Sequence, residues 1–305
     1  MITPKIRVLK RTQINEAKWN DVIRTACNSL PYAYTWYLDA LCPKWMALVV
    51  GEYEAVMPLP IGRKWGMLFV YQPLFCQQLG VFYKRRSDVI LEALIKEALK
   101  KFFFVNLNLN YDNRLTSLPA KTLAKKRNLT LQLSGKHSAL QKGFSENTVR
   151  NIKKGQKAGL LFEELGTKDF ASFTDFYIGH TAVKDKTFKT RHGEFLHRLT
   201  QQFAIHECGR LYAAKTPEGD ICAGVIVLEN GNRIIHLLPA ADEHARQNGG
   251  MHYLVDQILV SYAGTDKLYD FEGSSVDSIA RFYEGFGAEN QPFFMLSKSL
   301  FKRSK

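Results

Sequence analysis

Residues 269–288 read YDFEGSSVDSIARFYEGFGA, and this stretch decides the fold. A short apolar run carries two carboxylates, Asp270 and Glu272. A turn of small residues follows, then a helical pattern with Tyr283 inside it. Such a strand, turn and helix fits a phosphate cradle, an acid/base site or packing alone. The surrounding elements choose between them.

The 305 residues are 46% hydrophobic, which suffices for one large domain or two of about 150 residues each. No run approaches the ~20 apolar residues of a membrane span, and the first residues lack the apolar core of a signal peptide. The cysteines, Cys27, Cys42, Cys76, Cys208 and Cys222, are odd in number, scattered and free of CxxC pairs. Neither a zinc site nor a disulfide framework is expected, and a cytoplasmic protein is.

Charge is uneven. Residues 1–150 hold 23 Lys and Arg against 10 Asp and Glu, whereas residues 151–305 hold 19 against 19. Between residues 121 and 157 there are ten basic residues and one acid, Glu146. A field of that sign attracts nucleic acid, nucleotide-linked substrates or anionic headgroups, or else serves as a solubilising surface.

In the second half, LLFEEL reads as a strand and two helical patterns follow, one with Phe170, Phe173 and Tyr177 on a face. RLYAAK, ICAGVIVLE and NRIIHLLPA are three strands joined by turn signals. A helix places Met251, Leu254, Val255, Ile258, Leu259 and Tyr262 together. A strand at KLYDFEG, a helix at SVDSIARFYEGF and a strand at PFFMLSKS complete the order. The first half repeats most of that order without residue-level similarity. The expectation is two α/β domains with mixed sheets, residues 1–128 and 129–305, joined near residues 122–133.

This element order is similar to that of the GNAT acyltransferases. IARFYEGFGA resembles their A-x-x-F-Y-x-x-x-G-F helix through Ala280, Phe282, Tyr283 and Gly287, with Ala288 in place of the last aromatic. FSENTVRNIKKGQKAGLLFEEL resembles a segment of FemAB-like proteins, which are tandem GNAT transferases. Some of these move amino acids from aminoacyl-tRNA to cell-wall precursors, and others use different donors. The resemblance covers residues 130–300 well and residues 1–130 in pattern only. It implies acyl or aminoacyl transfer to an amine-bearing acceptor.

In such a fold the chemistry occurs where two parallel strands part, here NRIIHLLPA and KLYDFEG. His236, Asp270 and Glu272 lie near those strand ends. His236 is a candidate base. Asp270 and Glu272, two apart on one strand face, are candidates to hold a cationic amine or to raise each other's pKa. A hydrogen-bonded core histidine and helix-capping acids are the alternative. Tyr283, at helical spacing with Val276, Ile279 and Phe286, reads as core; the resemblance implies a proton donor to the leaving group.

The resemblance also implies a pyrophosphate loop, Q/R-x-x-G-x-G/A, at the start of the 251–262 helix. Arg246 and Gly249 match it, Gly250 falls one place early, and Met251 stands where a small residue belongs. Acyl-CoA binding is therefore expected to be weak. Arg150, Lys153, Lys154 and Lys157 form one helical stripe, capped by Asn147, that fits the phosphates of tRNA or of a nucleotide-linked precursor; a solvated face is the alternative. No metal site is expected. The leading expectation is a FemAB-like transferase that forms an amide. An acyl-CoA-dependent GNAT acetyltransferase and a non-catalytic binding protein on a GNAT scaffold are the alternatives.

Overall fold

Two mixed sheets organise residues 5–64, 66–115, 122–273 and 276–299, which the computed structural model describes. The chain divides between Lys126 and Arg127 and again between Gln291 and Pro292. No helix among the described residues is long and apolar enough to cross a membrane.

In the first unit, β1 (Ile6–Lys10) is followed by α1 (Glu16–Thr25) and α2 (Thr35–Leu41). Then come β2 (Trp45–Val50), β3 (Ala55–Lys64), β4 (Met67–Val70), β5 (Phe82–Tyr83), α3 (Asp88–Lys101), β6 (Val105–Asn108) and β7 (Leu123–Lys126). β4 and β6 run parallel and share one register pair, Val70 with Val105. Beyond it the chain itself fills the gap. Asn108 donates its N–H to the Gln72 side chain at 2.9 Å, and its side-chain amide donates to the Gln77 carbonyl at 2.8 Å. The Leu79 N–H donates to the Asn108 carbonyl at 2.9 Å.

The second unit contains β8 (Leu129–Gln132), α4 (His137–Leu140), α5 (Glu146–Lys157), β9 (Leu161–Leu165), α6 (Phe170–His180) and α7 (Thr190–Ile205). They lead into β10 (Gly209–Lys215), β11 (Ile221–Asn230), β12 (Arg233–Ala241), α8 (Glu243–Asn248) and α9 (Gly250–Tyr262). β13 (Leu268–Asp270), α10 (Asp277–Glu284) and β14 (Glu289–Asn290) complete it. The sheet order is β14-β8-β13-β12-β11-β10-β9. α9 buries Leu254, Ile258 and Leu259 completely, each contributing about 1.5–3 kcal/mol by leaving water.

Three details differ from the sequence reading. The closing strand, β15 (Phe293–Lys298), pairs with β6 and β7 in the first unit's sheet and not within the second domain. Alternating apolar residues define a strand but not its neighbour. Residues 129–132, read as part of the join, instead form β8 beside β13. Finally, α5 is capped by Ser145, whose Oγ accepts from the Thr148 N–H at 3.2 Å, while Asn147 bonds Arg150. Both Ser145 and Asn147 are good caps, and only the entry direction of the chain separates them.

Candidate active site

β12 and β13 are the parallel pair of the second sheet, held by Arg233 with Leu268, Ile234 with Tyr269 and Ile235 with Asp270. β13 ends there, and β12 continues six residues to Ala241. His236 is thus the first residue of β12 past the paired register, and its side chain is buried. α6 flanks β12 beyond that point, and the Thr181 hydroxyl donates to the Pro239 carbonyl at 3.4 Å.

Strand alternation sorts the side chains at this fork. Tyr269 faces His236, with its hydroxyl 2.8 Å from Nδ1. Phe271 and Tyr283 pack on the same imidazole, with ring centroids 5.7 and 5.8 Å away. Tyr283 stacks on Phe271 at 4.8 Å. Tyr283 and Ala280 form the buried face of α10, with Phe286 buried just beyond its end, whereas Val276 and Ile279 are exposed, contrary to the four-residue stripe read from the sequence. Burial is the whole cause of the low pKa of His236, about 3. Burial, then the nearby Glu272 and Tyr177, raise the Tyr283 phenol. Tyr177 on α6 is raised by burial and then by Glu272. The imidazole and both phenols are therefore neutral at neutral pH. His236 Nε2 is buried without a hydrogen-bond partner among the described residues, and the Tyr283 hydroxyl has none either.

Asp270 turns to the other face. It forms a buried ion pair with Arg233, whose second nitrogen donates to Gln291 Oε1 at 2.9 Å. It also accepts the Glu272 N–H at 2.9 Å. The two acids do not share a strand face, because the strand ends at Asp270 and Glu272 has φ +60°. A left-handed non-glycine residue is strained by about 1–2 kcal/mol. Glu272 acts electrostatically on both Tyr283 and Tyr177. Of the four candidates, His236 and Tyr283 pack together, Glu272 acts electrostatically on Tyr283, and Asp270 is paired with Arg233 on the other face. Ser274 and Ser275 of the opening stretch lie outside the described residues.

The loop expected to hold a pyrophosphate is engaged by protein. Gly249 has φ +69° and closes α8. A Cβ on it would stand 2.3 Å from the Asn151 carbonyl oxygen of α5. A Cβ on Gly250 would lie 2.7 Å from that of Ala245, and one on Gly155 of α5 2.7 Å from that of Tyr253. These glycines permit close helix contact. Arg246 donates to the carbonyls of Ala241 and His180, at 2.6 and 3.2 Å.

The outward face of α5 exposes Arg150, Lys153, Lys154 and Lys157, which line a groove of about 600 Å³ with Phe144 and Val149. α5 is anchored at its start as well. Ser145 donates its N–H to the Gly285 carbonyl at 2.8 Å, and Thr148 Oγ1 would lie 2.5 Å from a Cβ on Gly285.

Sequence reasoning missed Tyr177, Tyr269 and Arg233. Tyr177 was absorbed into an apolar helical stripe. Arg233 carried a usable signal, since a charge inside an apolar strand needs a buried partner.

Residues 142–274 match the acetyltransferase (GNAT) domain family. No curated protein sequence matches the chain. Among solved structures, FemX superposes with a TM-score of 0.67 at 12% identity, over 95% of this chain and 96% of its own. The C-terminal domain of a proposed lysylphosphatidylglycerol synthetase from Agrobacterium fabrum gives 0.58 at 10% identity, over 93% and 91%. A tandem GNAT protein of the clavulanic acid biosynthesis pathway, solved without acetyl-CoA, gives 0.53 at 12%, over 98% and 100%. The fold is thus that of the GNAT acyltransferases. FemX and the clavulanic acid pathway protein extend that likeness, as a tandem GNAT fold, over nearly the whole chain.

Proposed function

We propose that this chain is an acyl or aminoacyl transferase that forms an amide on an amine acceptor, with its reaction site in the crevice beyond the paired part of β12 and β13. The fork itself carries this reading. It packs a neutral phenol against a neutral imidazole, with Glu272 acting on the phenol, where two parallel strands cease to pair, the place at which an open α/β sheet receives its ligand.

Amide formation requires an unprotonated amine and a proton for the leaving oxygen. Glu272 would take the ammonium proton. Tyr283, with its pKa raised, keeps a proton to give to the departing ester oxygen. The resulting phenolate regains its proton from the attacking nitrogen as the amide forms, and Glu272 passes the ammonium proton to solvent, so the cycle closes without a net change in the protein. Asp270 acts at one remove, by neutralising Arg233 and holding the Glu272 turn.

The contact between Gly249 and Asn151 disfavours acyl-CoA, because protein backbone meets the loop that would receive the pyrophosphate. The basic groove on α5 favours a donor or precursor carrying several phosphates, such as aminoacyl-tRNA. The test is to incubate the chain with mixed aminoacyl-tRNA and a panel of small amines and to follow amide products by mass spectrometry. The reading requires transfer that falls about 10²–10⁴-fold in Tyr283→Phe, the usual contribution of a general acid. Acetylation from acetyl-CoA with no transfer from tRNA would replace it by the CoA-dependent alternative.

A further inference from the structure

His236 is the candidate whose role changes most once its hydrogen bond is considered. The Tyr269 side chain is fully buried, and its hydroxyl has one partner among the described residues, His236 Nδ1 at 2.8 Å. Two proton arrangements satisfy that contact. If Nδ1 carries the proton, the phenolic proton has no acceptor and the Nε2 lone pair has no donor. If the phenol donates to Nδ1, a single group is left unpaired, the Nε2–H. Buried polar groups without partners are costly, so the second arrangement wins by one such group. Nε2 is the very atom found buried and without a partner among the described residues.

We propose that His236 acts in the transfer step as a neutral hydrogen-bond donor, presenting its Nε2–H to the oxygen of the acyl group under attack, with Tyr269 as the positioning residue that fixes this tautomer. The inference rests on the transferase reading above and replaces the role of base that residue type alone suggests. The amine nitrogen forms the new C–N bond, and the carbonyl pair moves to oxygen, where Nε2–H meets the growing negative charge. On collapse the C=O bond re-forms and the C–O bond to the donor breaks. The leaving oxygen takes the Tyr283 proton, the nitrogen gives up its extra proton to restore the phenol, and His236 neither gains nor loses one. The surroundings fit a donor. Tyr269 and Phe271, from β13 and just after it, and Tyr283 from α10 surround the ring. Burial is the one cause that shifts its pKa, to about 3, so no charge acts to protonate it.

Nitrogen-15 NMR on the full chain reads the tautomer directly. His236 is expected as the Nε2–H form, unprotonated at pH 5, and Tyr269→Phe is expected to show a mixture of the two neutral forms. An Nδ1–H tautomer, or protonation near pH 6.5, overturns the proposal. The second arm is the aminoacyl transfer assay. His236→Gln, which keeps an N–H donor, should retain activity within about 10-fold, whereas His236→Phe should lose about 10²–10³-fold, the usual effect of deleting one oxyanion donor. Neither variant should shift the pH profile. Equal loss in both variants overturns the donor role. A wild-type chain that transfers nothing defeats the transferase reading and the donor role together, and the NMR arm distinguishes that failure from a wrong tautomer.

Discussion

The main-chain carbonyl oxygen of Asn151 stands 2.3 Å from the place a Cβ on Gly249 would occupy. With φ at +69°, position 249 also disfavours any side chain conformationally. Gly249→Ala is expected to lower stability by about 2–4 kcal/mol, from the left-handed backbone and overpacking together. Urea denaturation checks this. A change below about 0.5 kcal/mol, the range of neutral surface substitutions, would mean α5 is not seated there.

Because α5 meets that loop, acetyl-CoA is expected to show no binding at micromolar concentrations. Isothermal calorimetry decides. A micromolar affinity abolished by Gly249→Val, in a variant that still folds, would return the coenzyme to the loop.

Asp270 and Arg233 are buried together at the fork, with side chains 1% and 5% exposed. Asp270→Asn leaves the guanidinium charge buried without a counter-charge, which costs about 3–5 kcal/mol. Replacing both, as Arg233→Met with Asp270→Leu, should recover most of the loss. A double-mutant cycle in urea measures the coupling, and additive losses would rule the pairing out.

His236 and His252 are held at pKa values of about 3 and about 4, in each case by burial. Their folded values lie below the unfolded value of 6.5, so the unfolded chain binds protons first as pH falls. Their contribution is complete above pH 6.5 and declines below it, each histidine adding a slope of up to ~1.4 kcal/mol per pH unit. Between pH 6.5 and 5 the usual carboxylates stay ionised, so buried histidines dominate the dependence, with His192, also lowered by burial, as a smaller contributor. Urea midpoints for the wild type and His252→Gln over that range should show a shallower dependence in the variant; parallel curves would refute the assignment.

The groove on α5 should bind polyanions in a salt-dependent manner. Four phosphate contacts give a log–log slope near −3, and Lys153→Ala with Lys154→Ala should flatten it by about 1.5. Stability should barely change, since exposed lysines contribute little. Anisotropy titrations against mixed tRNA at several salt concentrations are the check. Binding with an unaltered slope in the double variant would place the phosphates on another surface.

The helices and strands were legible because their signals are local. The apolar face of α9, the turn residues between β10, β11 and β12, and the Ser87 cap of α3 each specify an element within a dozen residues. Partner choice is not local. β15 carries an ordinary strand pattern, and its partners β6 and β7 lie far back in the chain. The site was legible to the same degree. His236 and Tyr283 could be proposed from fold position. The left-handed turn at Glu272 could not, since nothing in the letters around a glutamate announces a positive φ. Nor could the bond from Tyr269, which depends on the register of β12 against β13.

The Gln72 to Leu79 segment of the first unit has a bearing on how a doubled architecture ages. By satisfying both main-chain groups of Asn108, it makes the parting of β4 and β6 self-sufficient. A copy sealed in this way has no solvent-facing fork left to preserve, and drift in its strand-end residues goes unpunished so long as the seal holds. The fork of β12 and β13, as the proposed site of transfer, has no such freedom. Variation tolerated at Val70 or Asn108 should therefore be of a conservative, space-filling kind, whereas at His236 and Tyr283 it should be scarcely tolerated at all. A saturation mutagenesis map of the two forks would record that asymmetry.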